Sequence, residues 1–193
     1  MEEKESAACS QTFLLLGDTT DDCPEKPGNE DNILAALSKT LSAQGHNVLC
    51  LAFSSDKEAL SNACAKAEHV VLLASQTDPE RAAHLLQTAL DVASACNSAG
   101  DDARRPEMWI VTRNGNLLSH GDGNVCTVDA DPTACTLTGL ARVMLNEYAY
   151  AGGLIVRKLD LCQSLETSVE EQARLIAEGT SSILIGADRD CPN

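Results

Sequence analysis

Proton transfer to a carbonyl oxygen is commonly done by a tyrosine whose pKa is depressed by a lysine four residues on. The only tyrosines here are Tyr148 and Tyr150, and Gly152 and Leu154 stand four residues after them. That pair is absent. A dinucleotide cofactor needs glycines at the first strand-to-helix turn, so that backbone N–H groups reach the phosphates. The turn here is Gly17-Asp18-Thr19-Thr20-Asp21-Asp22, with one glycine and three carboxylates that would repel a pyrophosphate. No G-x-G-x-x-G and no G-x-S-x-G nucleophile elbow occurs. The chain is therefore expected to bind no cofactor and to carry no catalytic residue.

Metal chemistry is equally unmarked. The four histidines, His46, His69, His84 and His120, are far apart in sequence. His46 follows Gly45 at a helix end and His69 opens a strand, as boundary residues do. Asp129 and Asp131 lack the calcium-loop pattern, and Asp131 is better explained as a helix cap. The nine cysteines are scattered singly from Cys9 to Cys191, with no C-x-x-C spacing. Secreted scaffolds and zinc sites bring cysteines together densely or in close pairs. The reading is of mostly reduced, often buried thiols in a cytoplasmic protein.

The elements that would position any site are legible from period and caps. Apolar residues make up 44% of the 193 residues and aromatics only 3%, so the core must be aliphatic. Residues 13–16, 48–53, 69–74, 109–111, 154–161 and 182–185 read as short apolar strands. A further short strand is allowed at 125–128. Helices fall between the strands. Ile33, Leu34, Leu37 and Leu41 share one face of the first, which Asn29 caps and Gly45 ends. Ser55 with Glu58, and Thr167 with Glu170, have capping-box spacing, the second before a short helix ending at Gly179. Asp78-Pro79 and Asp131-Pro132 are caps followed by proline at the first helical position. Leu137, Leu140, Ala141, Met144, Leu145 and Tyr148 share a face of the helix after Pro132.

Alternating strands and helices predict an α/β fold, a truncated Rossmann-like three-layer domain with a mostly parallel sheet. It is expected over residues 12–186, with an acidic disordered tail at 1–11 and a tail at 187–193. The net charge of −15 opposes nucleic acid and anionic membrane surfaces. No apolar run approaches the ~20 residues that span a bilayer. The start, MEEKESAACSQ, lacks the apolar core of a secretory signal. Arg113, after a strand, and Arg142, mid-helix, have the fork geometry that pairs with carboxylates or carbonyls across an interface. Solvated or locally paired arginines are the plain alternative.

Residues 109–161 carry a more specific pattern. Trp109, Thr112 and Arg113 end a strand. Pro132, Gly139, Leu140 and Arg142 mark a helix, followed by Asn146, Glu147 and Tyr148, and Leu159-Asp160-Leu161 closes a second strand. This order resembles the structural, non-catalytic half of the ketoreductase region of modular polyketide synthases and related fatty acid synthases. Thr138 stands where that family usually has Trp, Ala141 where it has Gly, and Ala149 where Pro is common.

The resemblance implies a short-chain dehydrogenase-like, Rossmann-like subdomain that stabilises and positions a catalytic half, in cis or in trans. That half would carry the NADPH loop and the Ser, Tyr and Lys, and would reduce a β-ketoacyl thioester. The acyl carrier protein would be met only indirectly. Trp109, Thr112, Arg113, Gly139, Arg142, Asn146, Glu147 and Asp160 are the structural or interface candidates. Two rivals stay open: a free-standing pseudo-reductase binding module without cofactor, and an enzyme whose site the sequence does not mark. The scaffold reading expects an exposed apolar surface that its partner covers.

Overall fold

A computed structural model describes residues 10–17, 33–53, 56–74, 79–98, 106–113, 132–150, 154–161 and 168–181, apart from the side chains of 79–82, 149–150 and 181. Strands β1 (Thr12–Gly17), β2 (Asn47–Ala52), β3 (His69–Ala74), β4 (Glu107–Arg113) and β5 (Val156–Leu161) alternate with helices. The helices are α1 (Ile33–Ala43), α2 (Lys57–Cys64), α3 (Pro79–Ser98), α4 (Pro132–Tyr150) and α5 (Val169–Ser181). All strand pairs are parallel, in the order β2-β1-β3-β4-β5. The expected α/β three-layer architecture is what the chain forms. The strands expected at 125–128 and 182–185, and the caps Asn29, Asp78 and Asp131, lie outside the described residues.

The aliphatic runs become strands because both faces of the sheet are covered. Every residue of β3, and every residue of β1 after Thr12, is buried. Leu14, Leu16, Val70, Leu72, Met108 and Ile110 point toward α2, α3 and α4. Phe13, Leu15, Val71, Leu73, Trp109 and Val111 point toward α1 and α5. Alternate side chains thus feed two cores, as a parallel sheet covered on both sides requires.

The helix ends explain where each element stops. At the end of α1, His46 N–H donates to Leu41 O (3.1 Å) and Gly45 N–H to Ser42 O (3.0 Å). This is a Schellman motif, and Gly45 takes the φ of +87° it requires. Ser10 Oγ donates to Gly45 O (2.8 Å), tying the chain before β1 to that turn.

Ser55 and Thr167, expected to open the two capping boxes, lie outside the described residues, and the residue after each makes a cap. Asp56 Oδ1 accepts from Ala59 N–H (2.7 Å) at α2, and Ser168 Oγ accepts from Glu171 N–H (3.2 Å) at α5. In each case the cap bonds the third residue of the helix, where the orphan donor lies. Gly179 does not end α5. The helix runs on to Ser181, and buried Thr180 Oγ1 donates back to Ile176 O (3.0 Å).

Packing also divides residues that one helical pattern had grouped. Leu137, Ala141 and Met144 of α4 are buried, whereas Leu145 is 49% exposed and outside the core. Leu37→Ala, on the fully buried face of α1, is expected to lower the unfolding free energy by about 2–5 kcal/mol. Leu145→Ala should leave it nearly unchanged, by denaturant titration of both variants.

Candidate functional site

Doubly wound sheets hold ligands outside the carboxyl ends of their strands, where the crossover direction reverses. Here that point lies between β1 and β3, at Gly17 and Ala74. A Cβ on Gly17 would sit 2.3 Å from Leu34 Cδ1. The glycine's missing side chain is thus used inside the fold, to let α1 lie close on β1. In sequence, Asp18, Asp21 and Asp22 follow it, three carboxylates where a pyrophosphate-binding turn carries glycine.

The carboxyl ends of β4 and β5 are tied to their surroundings. Thr112 is fully buried and donates from Oγ1 to Asp160 Oδ1 across the strand pair (2.6 Å). Arg113 Nη2 donates to Gln172 Oε1 of α5, so this half-buried guanidinium anchors a helix to the sheet. These two candidate residues therefore make local contacts. Arg113 is thus locally paired.

Trp109 belongs to the opposite end of the sheet. Its ring packs in the α1/α5 core, and the Arg157 guanidinium lies 5.7 Å from the ring centroid. Arg157 Nη2 also reaches Glu107 Oε1 (3.2 Å), and Glu107 Oε2 lies 3.7 Å from His69 Nδ1. His69, 2% exposed, stacks on Phe13 at 4.7 Å. This row crosses β1, β3, β4 and β5 at their starts. Phe13 and His69 are legible in sequence as strand-opening residues; the carboxylate and guanidinium beside them come from strands far away in the chain.

The remaining candidates, Gly139, Arg142, Asn146 and Glu147, are all exposed on α4. Gly139, Arg142, Val143 and Asn146 stand at i, i+3, i+4 and i+7, so they form one stripe. The stripe lies away from the buried Leu137, Ala141 and Met144. Val143 is 50% exposed, and nothing lies within 4 Å of where a Cβ on Gly139 would be. A mid-helix glycine is less favourable than alanine by about 1 kcal/mol. Nothing in the described chain uses the space it leaves.

A cavity of about 280 Å³ opens at the end of β2, between α2 and α3. Ala52, Phe53 and Leu60 contribute its apolar lining, and Lys57 pairs with Asp91 at its rim (3.2 Å). No group of three or more His, Cys, Asp or Glu side chains among the described residues is placed to hold a metal. No described helix is long and apolar enough to cross a membrane. Cys64 and Cys96 are buried together between α2 and α3, and the hydrogen bond between their thiols pulls the Cys64 thiol down and pushes Cys96 up.

No protein-family model matches the sequence, and no curated protein is significantly similar to it. Solved structures do match the fold. The 3-alpha-hydroxysteroid dehydrogenase of Pseudomonas sp. B-0831, solved with NADH, is 14% identical with a TM-score of 0.56, over 87% of each chain. UDP-glucose 4-epimerase of Brucella ovis, solved with NAD, is 15% identical with a TM-score of 0.54, over 78% of this chain and 51% of its own. UDP-N-acetylglucosamine 4-epimerase of Bacillus cereus is 14% identical with a TM-score of 0.51, over 78% of this chain and 53% of its own. The chain thus has the Rossmann-like fold of these dehydrogenases and epimerases, and spans about half the length of the two epimerases.

Gly139→Ala is expected to raise the stability of the isolated chain by up to about 1 kcal/mol, because it relieves the helix and meets no neighbour. Thiol labelling of the native protein, read by peptide mass, should modify exposed Cys50 promptly and spare Cys64 and Cys96 until the chain unfolds.

Proposed function

We propose that the chain is the non-catalytic structural subdomain of a polyketide-synthase-type β-ketoacyl reductase. It stabilises and positions a catalytic half that carries NADPH and reduces a β-ketoacyl thioester. The observation that carries this reading is the outward stripe of α4, Gly139, Arg142, Val143 and Asn146. An isolated domain gains nothing from an unfavourable glycine and a half-exposed valine on its solvent face. A domain that packs against another gains a close approach at the glycine, an apolar contact at the valine and polar forks at the arginine and asparagine.

Two further features support it. Of the residues that the sequence pattern marks between Gly139 and Glu147, Gly139, Arg142, Asn146 and Glu147 are exposed on α4, while Leu140 packs on the core. Gly17 at the end of β1 is closely packed by Leu34, and the sequence after it carries acid where a cofactor loop carries glycine. Both suit a Rossmann-like layer whose chemistry is done next door.

The test is co-expression of this chain with a catalytic ketoreductase half carrying the Gly-rich loop and the Tyr-x-x-x-Lys pair. Co-purification and NADPH-dependent reduction of a β-ketoacyl thioester are expected. Val143→Arg should cut co-purification at least tenfold while the isolated variant keeps its unfolding midpoint. A catalytic half that neither binds this chain nor gains stability or activity from it would overturn the reading, leaving the free-standing binding module in its place.

A further inference from the structure

Strand β2 ends the described sheet on one side, and among the described residues no strand lies beyond it. Asn47 N–H donates to Gln11 O (2.8 Å) and Phe53 N–H to Gly17 O (3.3 Å), so the odd-numbered amides face β1. By strand alternation, the amides of Val48, Cys50 and Ala52 face outward. Along this edge, Asn47, Leu49 and Cys50 are exposed.

Sheet edges are normally protected by charge, proline or a bulge, because a row of unpaired backbone groups invites another strand. β2 reads NVLCLA, with no charge and no proline, and pairs with β1 in unbroken register. At the other side of the described sheet, β5 reads VRKLDL and carries Arg157, Lys158 and Asp160. In a chain with 29 acidic and 14 basic residues, this uncharged six-residue strand is, among the described residues, an edge left open to pairing.

The dinucleotide-binding sheet order 3-2-1-4-5-6 has one more strand at this position. Removing that strand and renumbering gives the order β2-β1-β3-β4-β5 found here. The order 2-1-3-4-5 is also that of doubly wound sheets that stop at this strand, so the edge of β2 is a position at which such sheets either end or continue.

From these observations we infer that β2 is a strand-addition site, filled by an extended, neutral-to-basic segment of the partner catalytic half. Main-chain hydrogen bonds to Val48, Cys50 and Ala52 hold it, and Leu49, 36% exposed, gives it an apolar contact. A second copy of this chain is the poorer occupant, because each copy brings a net charge of −15. The inference rests on the scaffold reading for its partner.

Hydrogen exchange of this chain, alone and co-purified with the catalytic half, tests it. The Val48, Cys50 and Ala52 amides should slow at least about tenfold in the complex, while the Leu49 and Leu51 amides, already bonded to β1, change little. Cys50→Pro removes an outward donor and leaves the inward ladder intact. It should weaken the complex about tenfold, whereas Val143→Arg acts at α4 without exposing β2 in the isolated chain. A complex that forms with the three outward amides still fast overturns the strand-addition site and leaves the scaffold reading standing. No complex at all overturns both. Protection that grows with the concentration of this chain alone makes the occupant a second copy, and overturns the proposal as stated.

Discussion

The contact between β1 and β3 is the constraint on which the rest of the domain depends. Phe13 to Leu16 pair in register with His69 to Leu72. The four β1 residues are fully buried, and so are Val70, Val71 and Leu72 of β3. Backbone groups there have no water to turn to, so the ladder must be complete, and side chains must satisfy a helix layer on each face. With few aromatic rings available, the faces are filled by Leu, Val, Ile and Ala. Each helix can then be short or long as its crossover demands, provided that its aliphatic stripe meets the strand ends.

Much of this was legible in the chain. Runs such as FLLL and HVVLLA have the length and bounds of doubly buried strands. Pro79 and Pro132 stand at the first position of their helices, as fixed φ and a missing N–H dictate. Gly45 ends α1 because the Schellman turn needs positive φ. What was not legible depends on third parties. Asp56 caps α2 because its carboxylate reaches Ala59, and no spacing rule separates it from Ser55 next door. Leu145 fits the apolar spacing of α4 but is 49% exposed. Gly179 looks like a stop, yet α5 continues with Leu159 Cδ2 3.9 Å from its missing Cβ.

The eight residues singled out by the family-like pattern divide into two groups once folded. Thr112 with Asp160, and Arg113 with Gln172, fasten β4, β5 and α5 to one another, and Trp109 is held under Arg157. Gly139, Arg142, Asn146 and Glu147 fasten nothing within the described chain. Spacing could suggest a shared helix for the second group. The apolar face at Leu137, Ala141 and Met144 puts Gly139, Arg142 and Asn146 on the other side, but spacing could not tell whether another part of the chain covers that side.

The strand order has a consequence for synthesis. Once β1, α1 and β2 have emerged, every later described strand joins the same side of the sheet: β3 on β1, β4 on β3, β5 on β4. The sheet can therefore be laid down in the order of translation, with no strand inserted between two that already pair. Domains that complete themselves from the N-terminus in this way expose one apolar growing front at a time to the cell. The β2 side is made first and is never revisited by any later described strand.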